Sequence, residues 1–242
     1  MAKGQKPVKT TANIKKNRLY LTIAGNIDAK MMQKLYTDIR FCVADLKKGF
    51  DVVSDVSQCN ILYVTGLPIY KKIIDFLIAN HVGSIVRIIS DDNLSYKQLA
   101  NFSARIHSYR TLYAHSLEEA EQKLEELAKR DGIRFSFNFM QIQCEWNGRA
   151  DVGQLIDISI SGCAVQAQAE APAVGEEIGI RLEFTPRNDQ PAEPFELRGK
   201  VVRSGEDGKF AAQFIDLEEE RKAQLYEHLA YEVTRIPFEP PQ

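Results

Sequence analysis

The sequence predicts a two-domain α+β protein: an α/β sheet with helices against it, then an antiparallel β-barrel with a final helix. Three observations carry this. Between residues 18 and 129, segments of strand and helix periodicity alternate, as a sheet flanked by helices requires. After residue 130 the apolar period becomes two, with turn-rich segments and no helix between the runs. The last stretch returns to helical spacing. A chain of 242 residues suits one large domain or two ordinary ones. The expected divisions are a basic flexible tail at 1–17, an α/β domain at 18–115, a connecting helix at 116–129 and a barrel domain at 130–242.

In the first half, Leu19, Leu21 and Ile23 alternate with Tyr20 and Thr22, which suits a strand ending at Gly25. Asp28 reads as the N-cap of a helix with Met31, Met32, Leu35, Ile39, Cys42 and Leu46 on one stripe, stopped by Gly49. A β-branched strand follows at 51–56. Pro68 stands where a first helical turn tolerates proline, ahead of Ile69, Ile73, Phe76 and Leu77. A buried strand is expected at 84–90, a helix at 95–106 and a strand at 109–113. Ser116 with Glu119 makes a capping-box signature for the helix 117–129, with Leu117, Ala120, Leu124 and Leu127 facing inward. Glu118, Glu119, Glu121, Glu125 and Glu126 read as its solvated face, an acidic patch for a partner being the alternative.

In the second half, Phe135, Phe137 and Phe139 alternate, and the phase then slips to Met140, Ile142, Cys144 and Trp146, which requires a bulge or bend. Further alternating runs carry Cys163, Val165 and Ala167; Ile178, Ile180, Leu182 and Phe184; Phe195 and Leu197; and Phe210, Ala212 and Phe214. The final helix is expected from Asp216, with Leu217, Leu225, Leu229 and Val233.

Composition excludes several classes. An apolar fraction of 44% and a charged fraction of 26% are those of a globular protein, not a disordered or repetitive one. A net charge of -2 argues against a surface built for a nucleic-acid polymer and leaves room for a small anionic ligand held by a few arginines. No stretch is long and apolar enough to span a bilayer, and a cytoplasmic location is expected. The basic start (Lys3, Lys6, Lys9, Lys15, Lys16, Arg18) lacks the apolar segment of a secretory signal and reads as a frayed tail; a membrane-surface or nucleic-acid arm is the alternative. Cys42, Cys59, Cys144 and Cys163 never form Cys-x-x-Cys, so no metal site or disulfide framework is expected.

The constellation that carries chemistry is Arg130-x-x-x-Arg134 followed by Asp157-x-Ser159-x-x-Gly162. The guanidinium fork matches paired acceptors on phosphates and on the guanine edge. A carboxylate and a hydroxyl supply acceptors for guanine N–H groups, and glycine permits a tight turn with close backbone approach. Each of these residues also has an ordinary structural use, as a helix-end arginine or a turn residue. Taken together and in this order they resemble the PilZ domain, the bacterial receptor for cyclic di-GMP. The resemblance covers about 130–242 and includes the closing segment from Gly208 to Phe214 with its helix. It implies that Arg130 grips a guanine edge and a phosphate, and that Arg134 takes a second phosphate. It further implies that Asp157 and Ser159 fix a guanine and that Gly162 shapes the turn.

The first half resembles the STAS domain of anti-sigma-factor antagonists over roughly 14–128, through Gly25-Asn-Ile-Asp28 before a helix and the segment from Asp55 to Leu67. Tyr63 and Val64 stand where that family often has aspartate and the phosphorylated serine. Thr65 keeps a hydroxyl near a helix start, with an N-cap role expected for it. This resemblance implies a protein-interaction or self-association module.

Nucleotide-binding and hydrolase motifs are absent, as are the Gly-Gly-Asp-Glu-Phe and Glu-Ala-Leu signatures of the enzymes that make and degrade cyclic di-GMP, so no enzyme is expected. The expected function is a cyclic di-GMP receptor or effector that converts ligand binding into an interdomain or partner-interaction change, with no further cofactor. The alternative is a ligand-free interaction adaptor with a degenerate PilZ barrel and a STAS-like module.

Overall fold

The computed structural model describes residues 7–90, 109, 111–127, 133–137, 140–186 and 194–235. The chain divides into two compact units: the first runs to Ile133, and the second runs from Arg134 to Arg235 and takes in Tyr109.

The first unit is built on a five-stranded sheet of order β1-β2-β4-β6-β7. Strands β1 (Val8–Asn13) and β2 (Arg18–Ile23) are antiparallel. Strands β4 (Asp51–Asp55), β6 (Ile85–Ile88) and β7 (Leu112–Ala114) continue the sheet in parallel. A small parallel pair, β3 (Gly25–Ile27) with β5 (Cys59–Leu62), precedes the helices. Helix α1 (Ala29–Val43) starts where expected: the Asp28 side chain accepts from Met31 N at 2.8 Å. It ends one turn earlier than the apolar stripe suggests, leaving Leu46 beyond it. Helix α2 (Leu67–Ala79) has Pro68 in its first turn and buries Ile73, Ile74 and Leu77.

Helix α3 (Leu117–Leu127) packs with Ala120 and Leu124 on a cluster of Val53, Val86, Ile88 and Ala114. It therefore belongs to the first unit's core instead of standing apart as a connector. Its cap forms as a box shifted by one residue: Glu119 N donates to Ser116 Oγ at 3.1 Å, and the Glu119 carboxylate accepts from His115 N at 2.7 Å.

Several expectations are corrected here. Residues 8–13 are a sheet strand, not part of a flexible tail, because their amides and carbonyls pair with β2 even though only Val8 is buried. Leu117 is exposed, since it lies in the first turn beyond the edge of the apolar stripe. Glu121 is no solvated surface acid: it accepts from Tyr20 Oη at 2.5 Å, Arg18 Nη1 at 2.5 Å and Lys16 Nζ at 2.6 Å. Burial pushes its carboxyl up, but the bonds from Lys16 and Tyr20 and the charge of Arg18 outweigh this and hold it low. Thr65 lies in a 3-10 turn (Val64–Gly66); the residue capping α2 is Gly66, with no side-chain cap. The strand expected at 109–113 is confined to Leu112–Ala114, while Tyr109 bridges to Phe135 in the second unit. The helix expected at 95–106 lies outside the described residues.

The second unit is a closed antiparallel barrel. Strands β9 (Gln141–Trp146), β12 (Glu177–Leu182), β13 (Phe195–Ser204), β14 (Lys209–Ile215), β11 (Gly162–Ala167) and β10 (Arg149–Ile158) pair in that spatial order, and β10 returns to β9. Short β8 (Phe135–Ser136) adds to the outer end of β10. The expected alternation is realised: Ile142, Cys144, Cys163, Val165, Ile180, Leu182, Phe210 and Ala212 are all buried. Helix α4 (Glu219–Thr234) sets the Tyr226 ring edge-on to Phe135 at 5.6 Å and stacks His228 on Phe184 at 4.8 Å. It begins three residues after Asp216, which adopts φ 55° and so cannot start a helix itself.

Candidate ligand-binding site on the barrel

The site is built where β10 ends. A bulge between Leu155 and Asp157 brings Asp157 into register with Ala164 of β11 on one side and Ser136 of β8 on the other. The chain then turns through residues 159–161. Ser159 N donates to Gly162 O at 2.8 Å, and Phe214 N donates to Ser161 O at 2.9 Å, so the turn is fastened to itself and to β14. Gly162 opens β11 opposite Gln213, and a Cβ there would sit 2.5 Å from the Ala212 carbonyl oxygen. Glycine is required by that close approach, not by a left-handed backbone.

Arg134 enters from the segment that leads into β8, and its Nη1 donates to Asp157 Oδ1. The arginine side chain is 36% exposed and that of Asp157 11%, so the carboxylate is largely shielded while the guanidinium keeps a solvent-facing side. Ser159 differs from expectation in its presentation. It is 1% exposed, and its hydroxyl lies 3.1 Å from Ser161 Oγ and 3.3 Å from Gly162 O. The hydroxyl braces the turn. Ser161, at a position the motif leaves variable, was missed by sequence reasoning; only the turn geometry reveals it as the second hydroxyl. Arg134, Asp157, Ser159 and Gly162 thus come together, and Arg130 lies outside the described residues.

The neighbouring thiols are inert by environment. Burial pushes Cys163 far above the ordinary thiol range, and burial raises Cys144 to about 12. Among the described residues, no group of three or more His, Cys, Asp or Glu could hold a metal, and no helix is long and apolar enough to cross a membrane.

The family model described as "PilZ domain" matches residues 129–231. Residues 129–231 are a PilZ domain. This match spans the Arg-x-x-x-Arg segment, the turn at 157–162 and most of α4. Among solved structures, the PilZ domain of CeSA from a cellulose-synthesizing bacterium is 16% identical, over 41% of this chain and 96% of that one, with a TM-score of 0.33. The PlzA protein of Borreliella burgdorferi, solved in complex with c-di-GMP, is 13% identical over 50% of this chain and 60% of that one, with a TM-score of 0.28. For the N-terminal half, the anti-sigma factor antagonist SpoIIAA in its unphosphorylated form is 8% identical over 50% of this chain and 97% of that one, with a TM-score of 0.36. A search of curated proteins finds no match.

Proposed function

We propose that the PilZ domain binds cyclic di-GMP through Arg130, Arg134, Asp157, Ser159 and Gly162, and that the chain is a receptor or effector and not an enzyme. The observation that carries this reading is the meeting of the Arg134 guanidinium and the Asp157 carboxylate at the braced turn. In this reading the guanidiniums of Arg130 and Arg134 hold phosphates and a guanine edge, where charge-assisted bonds are strongest. Asp157 accepts from guanine N–H groups. Ser159 supports the turn from which that carboxylate projects, and Gly162 lets the turn lie close to β14. Arg134 also opens the main stretch of the second unit, directly after the first unit ends at Ile133, so a ligand that it holds biases the arrangement of the two units, or of a partner, by its differential affinity for each.

Isothermal calorimetry with cyclic di-GMP tests the reading. The native chain is expected to bind with a defined stoichiometry, and Arg130→Ala and Arg134→Ala are each expected to weaken binding by about 1–3 kcal/mol. Unchanged affinity in both variants would sink the site.

The adaptor reading is favoured by one observation in the first unit: Ile61 of β5, and Tyr63 and Val64 just beyond that strand, are 38%, 47% and 60% exposed. Such a surface suits a protein partner or self-association. A ligand that binds only the folded form raises the melting temperature, so a thermal shift with cyclic di-GMP separates a receptor from a ligand-free adaptor.

A further inference from the structure

We propose that Ile156 is the apolar wall against which a guanine base of the ligand lies, with the edge of that base at Asp157. This rests on the reading of the PilZ domain given above and adds to it a residue outside the motif. The bulge in β10 is the device that makes the pair.

Burial and register fix the orientation. Leu155 and Ile158 are both buried in the barrel. In a regular strand two residues three apart point to opposite faces. The bulge absorbs the difference: Leu155 pairs with Val165 and Asp157 with Ala164, which leaves Ile156 as the extra residue. Ile156 and Asp157 therefore both stand on the outer wall, as consecutive residues opposite Ala164, which adds only a methyl group. Ile156 is 39% exposed, while Asp157 beside it is held by the Arg134 guanidinium.

A purine has polar edges and two apolar faces. A carboxylate satisfies an edge; a face needs an apolar surface placed so that the edge still meets its acceptor. Two consecutive outward side chains supply both from one piece of backbone, which pairing with β8 and β11 holds in place. A base seated there covers Ile156 and drives water from the surroundings of Asp157, where a drier setting strengthens the bonds of the carboxylate. Val152, on the same strand, is 38% exposed but lies roughly 13 Å further along it, opposite Gln143 of β9. It represents an ordinary exposed apolar residue of β10.

The test is calorimetric titration of the full chain with cyclic di-GMP at several temperatures. The variants are Ile156→Thr, which stays β-branched but gains a hydroxyl, Ile156→Leu, which stays apolar, Val152→Thr as a control, and Arg134→Ala. Ile156→Thr is expected to bind about fivefold more weakly, with a less negative heat-capacity change of binding and an unchanged melting temperature of the ligand-free chain. Ile156→Leu and Val152→Thr are expected within about twofold of native. Native affinity in Ile156→Thr together with clear weakening by Arg134→Ala overturns the wall and leaves the motif site standing. A weakening that Val152→Thr equals, or that comes with a matching fall in melting temperature, overturns it as well. Native affinity in Arg134→Ala overturns the underlying reading instead.

Discussion

The guanidinium of Arg134 donates to the carboxylate of Asp157, joining a residue before β8 to the last turn of β10 across 23 positions of sequence. Each of the two groups that would face a ligand is therefore already the other's partner. A guanine or phosphate that enters must exchange this bond for its own, and the two side chains cannot contribute independently. A double-mutant cycle of Arg134→Ala and Asp157→Ala on cyclic di-GMP affinity is expected to show a coupling of about 0.5–3 kcal/mol. Strictly additive losses would contradict the exchange.

Gly162→Ala is expected to damage the turn. The new methyl would meet the Ala212 carbonyl oxygen at 2.5 Å, and a backbone atom in a closed barrel has little room to retreat. A cost of about 1–3 kcal/mol in urea denaturation is expected, with weakened ligand binding. Gly148→Ala offers the contrast: its φ of 71° causes strain, but nothing lies within 4 Å of an added Cβ, so ligand binding should stay native there.

The first unit should be sensitive to acid through Glu121. Its folded-state carboxyl is held below the ordinary range, so its contribution is complete above the unfolded-state value and is lost as pH falls through the folded one. Glu121→Gln removes a charge that faces the buried Arg18, which is 6% exposed. Urea unfolding at neutral pH is expected to show a loss of about 1–3 kcal/mol that shrinks toward low pH. A pH-independent difference would point to packing as the cause.

Caps separate two superficially similar positions. Asp28→Ala deletes a bond to Met31 N at 2.8 Å and is expected to cost about 1 kcal/mol in thermal unfolding. Thr65→Ala removes no cap bond and should stay within about 0.5 kcal/mol of native.

These caps also show what a sequence can reveal. Asp28 and Ser116 were legible because capping is local: donor and acceptor lie three residues apart. The barrel was legible because period two survives along β9, β12, β13 and β14, from Ile142 to Phe214. Strand β1 was not, because only Val8 of its six residues is buried and no apolar alternation marks it, so its place is fixed by pairing with β2. Glu121 resembled its acidic neighbours on α3 because its partners Lys16, Arg18 and Tyr20 lie about a hundred positions away. At the site, the motif announced Arg134, Asp157, Ser159 and Gly162 together, but the inward hydroxyl of Ser159 and its pairing with Ser161 depend on turn closure.

Strand β1 forms one margin of the first unit's sheet and shields the flank of β2. A chain trimmed to begin at Arg18 would bare a row of unsatisfied amides and carbonyls along β2, ready to accept a strand from another molecule. Such trimmed material is liable to clump, and a loss of function in it would report sticky edges before it reported anything about the basic residues removed.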